Sequence, residues 1–333
     1  MRDVVIALDA EEDARDPDER DTLRQAAEIA RALGARGRRV SRLEVTREAS
    51  WIPALERLAP ETVVYVLVEG VRGRHFLPAF FCHLVEERGL AHTGARAESL
   101  YLHSSKWSLK AHLLALGLPS PAGIDAAGNL LARAAPGPKT PFLLKSVWEH
   151  SSIGIEAELV PFARVGAALA AKEEPGAWFA EEYVHGREFS VALLEEGPAL
   201  EVLAISEILF LGSRAGMPWV LDYEAKWDEA SRAHRETPSV FPDFAGAEAP
   251  LRARIEAEAL RAAAALGLKG PVRLDFRLHA DGTLYLIDVN LNPCLAPEAG
   301  FARAGEKAGI AYEALIERLV ANAERSLEPN VLR

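Results

Sequence analysis

The sequence predicts an α/β opening followed by two α+β units. Three patterns carry this prediction: apolar runs alternating with helical periodicity over the first 95 or so residues, strands that return on each other from residue 141 onward, and two runs of alternating polarity flanking Asp281-Gly282.

VVIALDA, from Val4, is a short buried strand, and an acidic loop follows it. Asp21 then caps a helix through LRQAAEIARAL to Gly34. RRVSRLEV is the second strand; a further helix and TVVYVLVEG complete a β-α-β-α-β order, which predicts a parallel sheet in a first domain, 1–95. No GxGxxG follows the first strand, so Rossmann-type dinucleotide binding is unsupported. A helix over SSKWSLKAHLLALG ends at Gly117 and Pro119, and the proline-rich PSPAG and AAPGPKTP act as connectors. PFLLK, WEHSSIG and IEAELV read as strand, small-residue loop and returning strand. AWFAEEYVHGREFSVALL is a strand that turns at His185-Gly186; a domain boundary is placed near residue 96, and the remainder is expected to form a central lobe at 96–185 and a C-terminal lobe at 186–333. From Asp222 to about residue 248 the chain is polar and irregular, as a functional lid or a disordered loop would be. An alanine-rich helix from Ala249 to Leu266 leads into the Asp281-Gly282 hairpin, and another from Tyr312 follows.

With 333 residues, 49% of them hydrophobic, the chain can bury a large core. Its net charge of -11 argues against nucleic acid or an anionic membrane as the main partner and favours small molecules. Two cysteines, Cys82 and Cys294, are too few for a disulfide framework or a structural zinc site, which suits a reducing cytoplasm. The N-terminal apolar run is short and acids follow at once, so neither a signal peptide nor a membrane span is expected.

The hairpin is the richest segment. A two-residue type I′ turn at Asp281-Gly282, with Ala280 paired to Thr283, puts Asp275 opposite Asp288 and Arg273 opposite Asn290 on one face. Val272, Leu274, Phe276, Ile287 and Val289 take the other face. Carboxylates about 5 Å apart across a sheet repel unless a cation or proton separates them. Oxygen donors select Mg²⁺ or Mn²⁺, and Mg²⁺ completes its shell with water and phosphate oxygens, so the face points to nucleotide chemistry. The plainer alternative is a hairpin whose acids Arg273 neutralises.

Two further segments carry polar groups. Ser151, Ser152 and Gly154 can present hydroxyls and N–H groups to phosphate oxygens in an anion-binding nest, or can be an ordinary polar turn. Glu181, Glu182 and Glu188 interrupt an apolar strand, either as a solvated edge or to hold the hydroxyls of a ribose and the amino group of a purine.

From Val63 to Val320 the order of segments resembles the D-alanine–D-alanine ligase branch of the ATP-grasp superfamily: HTG at 92–94, SSKWSLKAHLLALGLPSP, LLKSVWEHSSIG, EEYVHGREFSV, DYEAKW, and RLDF joined to IDVNLNP. The resemblance implies an ATP-grasp fold with an N-terminal parallel-sheet domain, ATP between the last two lobes, two Mg²⁺ ions, amino-acid-like substrates and a homodimer. It implies Lys106 and Lys145 on the nucleotide phosphates, with Ser151, Ser152 and Gly154 in the loop that closes over them. Glu181, Glu182 and Val184 match the strand that reads adenine, Glu188 the acid on the ribose, and Lys226 the lid lysine that reaches the terminal phosphates. Asp275, Asp288 and Asn290 match the metal ligands, Asp288 standing where the family carries glutamate. Arg273, Ser151 and Lys226 are the groups expected to act in the reaction, Arg273 on the oxyanion.

The substrate side departs from the family pattern. The first strand is followed by AEEDARDPDERD rather than a glycine-rich turn and glutamate, and Asp21 is the nearest counterpart. EGVRGRHF replaces a histidine-glycine segment, placing Glu69 on the substrate side and adding Arg72, Arg74 and His75, which are either contacts for an acidic substrate or surface charge. Cys294 stands at a glycine position that supplies an oxyanion amide, Ala299 at a serine position and Trp227 at a lid tyrosine. The implied activity is amide-bond formation through an acyl phosphate. A related ligase for other amino acids or a specialised metabolite, and a non-catalytic ATP-binding regulator, are the alternatives.

Overall fold

The computed structural model describes residues 1–9, 17–46, 48–70, 75–149, 154–197, 199–212, 218–228 and 230–326. Strands β1 (Val4–Leu8), β2 (Val40–Glu44), β3 (Val63–Leu67) and β4 (Ala91–His92) make a parallel sheet in the order β2-β1-β3-β4, as expected. Helices α1 (Pro17–Ala35), α2 (Ile52–Glu56) and α3 (Leu77–Glu87) connect them. The period of two along β1 serves both faces: Val4, Ile6 and Leu8 pack with Ala26, Ile29 and Leu33 of α1, while Val5 and Ala7 pack with Leu55 and Phe81. Asp21 does not cap α1. The helix starts at Pro17, where the fixed φ of proline suits a first turn, and Asp21 lies inside it.

After α4 (Ala97–His103) comes α5 (Lys106–Ala115), whose N-cap Ser105 accepts from the Ser108 amide at 3.2 Å. The second sheet is antiparallel, in the order β6-β5-β9-β7-β8. Its strands are β5 (Gly123–Asp125), β6 (Leu130–Leu131), β7 (Pro141–Ser146), β8 (Val160–Pro161) and β9 (Trp178–Glu182). Helix α6 (Phe162–Ala170) covers one face through Val165 and Leu169 against Phe142, Leu144 and Ala180. The returning strand expected over IEAELV contracts to β8 and one bridge from Lys145 to Ile155.

The third sheet contains β10 (Gly186–Glu196), β11 (Ala199–Ile208), β12 (Ser239–Val240), β13 (Val272–His279) and β14 (Leu284–Asn290), in the order β12-β11-β10-β13-β14. Helices α7 (Tyr223–Trp227) and α8 (Arg232–Arg235) are capped by Asp222 and Ser231, so the stretch expected to be irregular carries local order. Helix α9 (Ala249–Ala265) packs on this sheet; α10 (Gly300–Lys307) and α11 (Tyr312–Ser326) follow. Leu315, Ile316, Leu319 and Val320 of α11 pack with Val63, Tyr65 and Leu67 of β3, so this helix completes the first sheet's core. Arg38, 3% exposed at its side chain, ties the two regions by ion pairs to Glu317 at 2.6 Å and Glu324 at 2.9 Å.

The hairpin keeps the expected pairs, Arg273 with Asn290 and Asp275 with Asp288, by a different route. His279, not Ala280, pairs with Thr283, and the Gly282 amide donates to the His279 carbonyl at 2.9 Å. The turn therefore has three residues, Ala280-Asp281-Gly282, with Gly282 at φ +87°, a type I turn closed by a left-handed glycine. A bulge between Asp275 and Phe276 absorbs the offset. Phe276 consequently faces Leu286, which is 1% exposed, whereas Ile287, expected in the core, lines the cleft.

Candidate active site

A cavity of about 290 Å³ lies between the second and third sheets. Its lining contains Lys106, Lys145, Glu181, Glu182, Val184, Glu188, Lys226, Arg273, Asp275, Asp288 and Asn290. The structure thus brings together every candidate for nucleotide and metal among the described residues except Gly154. Ser151 and Ser152 lie outside the described residues, as do Arg72 and Arg74. The side chain of Trp227 is likewise outside them.

On the second sheet, Lys145 of β7 and Glu181 of β9 are diagonal neighbours on one face, since Lys145 pairs with Phe179 and Leu143 with Glu181. Lys145 forms an ion pair with Glu181 Oε2, and Lys110 pairs with Oε1 at 2.8 Å. Lys110 also donates to Ser120 Oγ at 3.0 Å and to the Pro121 carbonyl at 2.7 Å. Burial raises the Glu181 carboxyl, but Lys110 and Lys145 more than reverse this and hold it at about 2. The solvated-edge alternative fails here: β9 runs between β5 and β7, β10 between β11 and β13, and Glu181 and Glu188 are 5% and 8% exposed. Lys106 donates to the Glu149 carbonyl; burial lowers its ammonium, with the charge of Asp288 opposing.

Gly154, at φ +68°, approaches the end of β7 so closely that an added Cβ would come within 2.8 Å of the Ser146 Cβ. Its carbonyl accepts from the Ser146 amide at 2.9 Å, which seats the loop's exit beside Lys145.

On the third sheet, Arg273 grips Asp275 at two points, Nε to Oδ1 at 2.9 Å and Nη2 to Oδ2 at 2.8 Å. Burial works against the Arg273 charge, and Asp275 overrides it. Asn290 Oδ1 accepts from the Asn292 amide at 2.9 Å. Among the described residues no three His, Cys, Asp or Glu side chains form a metal cluster. The donor set is two carboxylates and one amide, which fits Mg²⁺, a cation that fills the rest of its shell from water and phosphate.

Lys226, brought in by α7, lies within electrostatic reach of Arg273, Glu69, Cys294 and Asp275. Burial lowers its ammonium, Arg273 lowers it further, and the acidic groups oppose. The expected substrate-side residues form a second cluster beyond it. Asp9 accepts from the Glu69 and Gly70 amides, both at 2.9 Å, and Thr22 Oγ1 donates to Glu69 at 3.1 Å. Burial, reinforced by Asp9, pushes Glu69 up to about 7. Cys294 Sγ donates to Asp21 at 3.1 Å, and Gln25 accepts from the Leu295 amide at 2.6 Å. His75 is not free surface charge: its ring stacks on Trp148 at 4.2 Å between centroids.

Sequence reading missed Lys110, Asp9 and Arg277. Lys110 lies one helical turn after Lys106, and Arg277 follows Arg273 and Asp275 at the strand's period of two, so both positions were readable from spacing. Asp9 carries no spacing signal.

A family profile described as "D-ala D-ala ligase C-terminus" matches residues 129–321. The D-alanine--D-alanine ligase of Acidiphilium cryptum is 30% identical over 306 residues, covering 91% of this chain and 93% of the relative. That of Sphingopyxis alaskensis is 28% identical over 304 residues, covering 89% and 90%. Among solved structures, D-alanyl-alanine synthetase A from Vibrio cholerae superposes with a TM-score of 0.73 at 17% identity, covering 97% of this chain and 99% of that one. D-alanine--D-alanine ligase from Bacillus anthracis complexed with ATP also gives 0.73 at 17% identity, covering 98% and 99%.

Proposed function

The chain belongs to the D-alanine–D-alanine ligase family and has its ATP-grasp fold, and from that premise we propose that it joins two D-alanine-like amino acids with ATP. The observation that carries this reading is the meeting of Lys106, Lys145, Lys226 and Arg273 with Asp275, Asp288 and Asn290 around one cleft. In the first step a carboxylate oxygen bonds to the γ-phosphorus as the bond to ADP breaks. In the second an amine nitrogen bonds to the acyl carbon, inorganic phosphate leaves, and the nitrogen loses its proton.

Phosphoryl transfer depends on position and charge compensation more than on covalent help. Lys106 and Lys145 hold the phosphates, Lys226 arrives with α7, and the donors of Arg273 meet the developing oxyanion. Mg²⁺ held by Asp275, Asp288 and Asn290 would neutralise phosphate charge. Glu188 takes the ribose, and the backbone from Glu181 to Val184 takes the base. Ser151 and Ser152 belong to the loop over the phosphates. Asp21, Glu69 and Cys294 border the amino-acid side, and their difference from the family pattern supports a second reading, a ligase for other amino acids.

The three sheets support reading 1–95, 96–185 and 186–333 as units, with α11 reaching back from the last to the first. No helix among the described residues is long and apolar enough to cross a membrane; the two cysteines suit a reducing cytoplasm, and kinship supports a homodimer. The test is ADP release with Mg-ATP against D- and L-amino acids, singly and in pairs, with product mass. D-alanine-dependent dipeptide supports the first reading; turnover with other amino acids alone supports the second, and silence throughout with no hydroxamate from hydroxylamine sinks both.

A further inference from the structure

We propose that Arg277 fixes Glu188 for reading the ribose, so that sugar selectivity resides in this pair and not in the carboxylate alone. The inference rests on the ligase reading for the place of the nucleotide, and otherwise on contacts of Arg277 that neither the phosphate nor the metal candidates share.

Arg277 and Glu188 are direct partners in the register of β13 and β10. They are 6% and 8% exposed, and both line the cleft. Arg277 Nη2 donates to Glu188 Oε2 and to the Trp219 carbonyl, while Nη1 donates to the carbonyls of Val184 and Gly186, each at 3.4 Å. The guanidinium also lies 5.2 Å from the Phe210 ring centroid. With its donors held by these acceptors, Arg277 is not poised to bind phosphate; the cations suited to that are Lys106, Lys145, Lys226 and Arg273.

Burying a carboxylate such as Glu188 is costly unless a cation and hydrogen bonds accompany it. Arg277 supplies that charge and engages Oε2, leaving Oε1 outside the pair for a hydroxyl donor. A hydroxyl bonded to an ionised, fixed carboxylate makes a charge-assisted bond, and a site built around such a bond rejects the analogue that lacks the hydroxyl. The same guanidinium pins Val184 and Gly186, at the crossing from β9 to β10, and Trp219, upstream of α7. Arg277 is therefore a positioning residue that sets the sugar's partner in register with the base-reading segment.

The test measures binding of Mg-ATP and Mg-2′-deoxy-ATP and Mg-3′-deoxy-ATP by calorimetry, and KM and kcat for each by ADP release, in wild type, Arg277→Met, Arg277→Lys and Glu188→Gln. Wild type should prefer ATP over the poorer deoxy form by about tenfold or more, mainly in KM. Arg277→Met should raise KM for ATP by about tenfold while moving that deoxy nucleotide by less than about threefold, with kcat at saturation largely kept. Glu188→Gln should lose the same preference, and Arg277→Lys should restore part of it. Equal losses for ribo and deoxy nucleotides in Arg277→Met, or an undiminished preference, would overturn the proposal. If Arg277→Met does not fold, Glu188→Gln and Arg277→Lys decide: ribose preference unchanged in both overturns it. Ribose-selective binding without ADP release under any amino acid would sink the ligase reading and leave this one standing.

Discussion

Arg273 and Asp275, two positions apart on one strand, face the cleft side by side and close a two-point ion pair, Nε to Oδ1 at 2.9 Å and Nη2 to Oδ2 at 2.8 Å. The group proposed for the oxyanion thus also holds a carboxylate proposed for the cation. Either role engages the partner of the other.

Removing either partner should abolish product formation. We expect Arg273→Ala and Asp275→Ala to lower turnover by about a hundredfold or more, read as ADP release and product mass. Normal turnover in either purified variant is incompatible with the proposed site.

Asp288 lies beside the bulge that restores the hairpin register, so its reach is set by local backbone. Asp288→Glu, although it restores the residue type implied by kinship, should lower kcat about tenfold by displacing an oxygen donor by one methylene. A gain in activity would mean that the native carboxylate is too short.

Glu181 should make stability acid-sensitive. Its folded value of about 2 lies below the ordinary 4.5, so its contribution is full above about pH 4.5 and is lost as pH falls towards 2. Lys110→Met strips one cation from this buried carboxylate and should cost about 3–5 kcal/mol at pH 7. Chemical denaturation checks the figure, and a cost under about 1 kcal/mol refutes the assigned partnership.

Glu69 acts with the opposite sign. Its folded value of about 7 exceeds the ordinary 4.5, so the folded state prefers the protonated form and stability declines as pH rises from about 4.5 through about 7. Glu69→Gln should leave the melting temperature nearly unchanged at pH 5 and raise it at pH 8, the gain being at most about 3 kcal/mol. Equal melting curves for the two proteins at pH 8 exclude a carboxyl that the fold holds towards its protonated form.

The thiols should be inert. Burial raises both Cys82 and Cys294, and Asp21 raises Cys294 further, so little thiolate forms at neutral pH. Iodoacetamide should label the folded protein on the order of a hundredfold more slowly than free cysteine, as followed by mass spectrometry. Rapid labelling of Cys294 would show that its hydrogen bond to Asp21 does not persist.

The parallel sheet was readable because its strands are continuous apolar runs, and the Asp275–Asp288 pairing because polarity alternates on both sides of the turn. The turn itself was misread. Asp-Gly suits both a two-residue and a three-residue loop, and only the offset between Phe276 and Leu286 tells them apart. Alternation alone puts Ile287 in the core, but a bulge breaks the period of two and turns it to the cleft. Acids favour the cap position, which points to Asp21, but Pro17 starts the helix earlier. Glu181 was legible as an unusual acid, but its partner Lys110 belongs to a helix that only tertiary packing brings beneath β9. Contacts such as Asp9 with the Glu69 and Gly70 amides leave no periodic trace, because loop geometry sets them.

Helix α11 has a consequence for how the protein is made. The first sheet is translated before α11, yet Val63, Tyr65 and Leu67 have Leu315, Ile316, Leu319 and Val320 among their packing partners, and Arg38 waits for Glu317 and Glu324. Domains ordinarily fold in turn during synthesis. Here the first sheet carries an apolar face that is sealed only when α11 has been translated, so a nascent chain stalled before Tyr312 is expected to leave that face open to water.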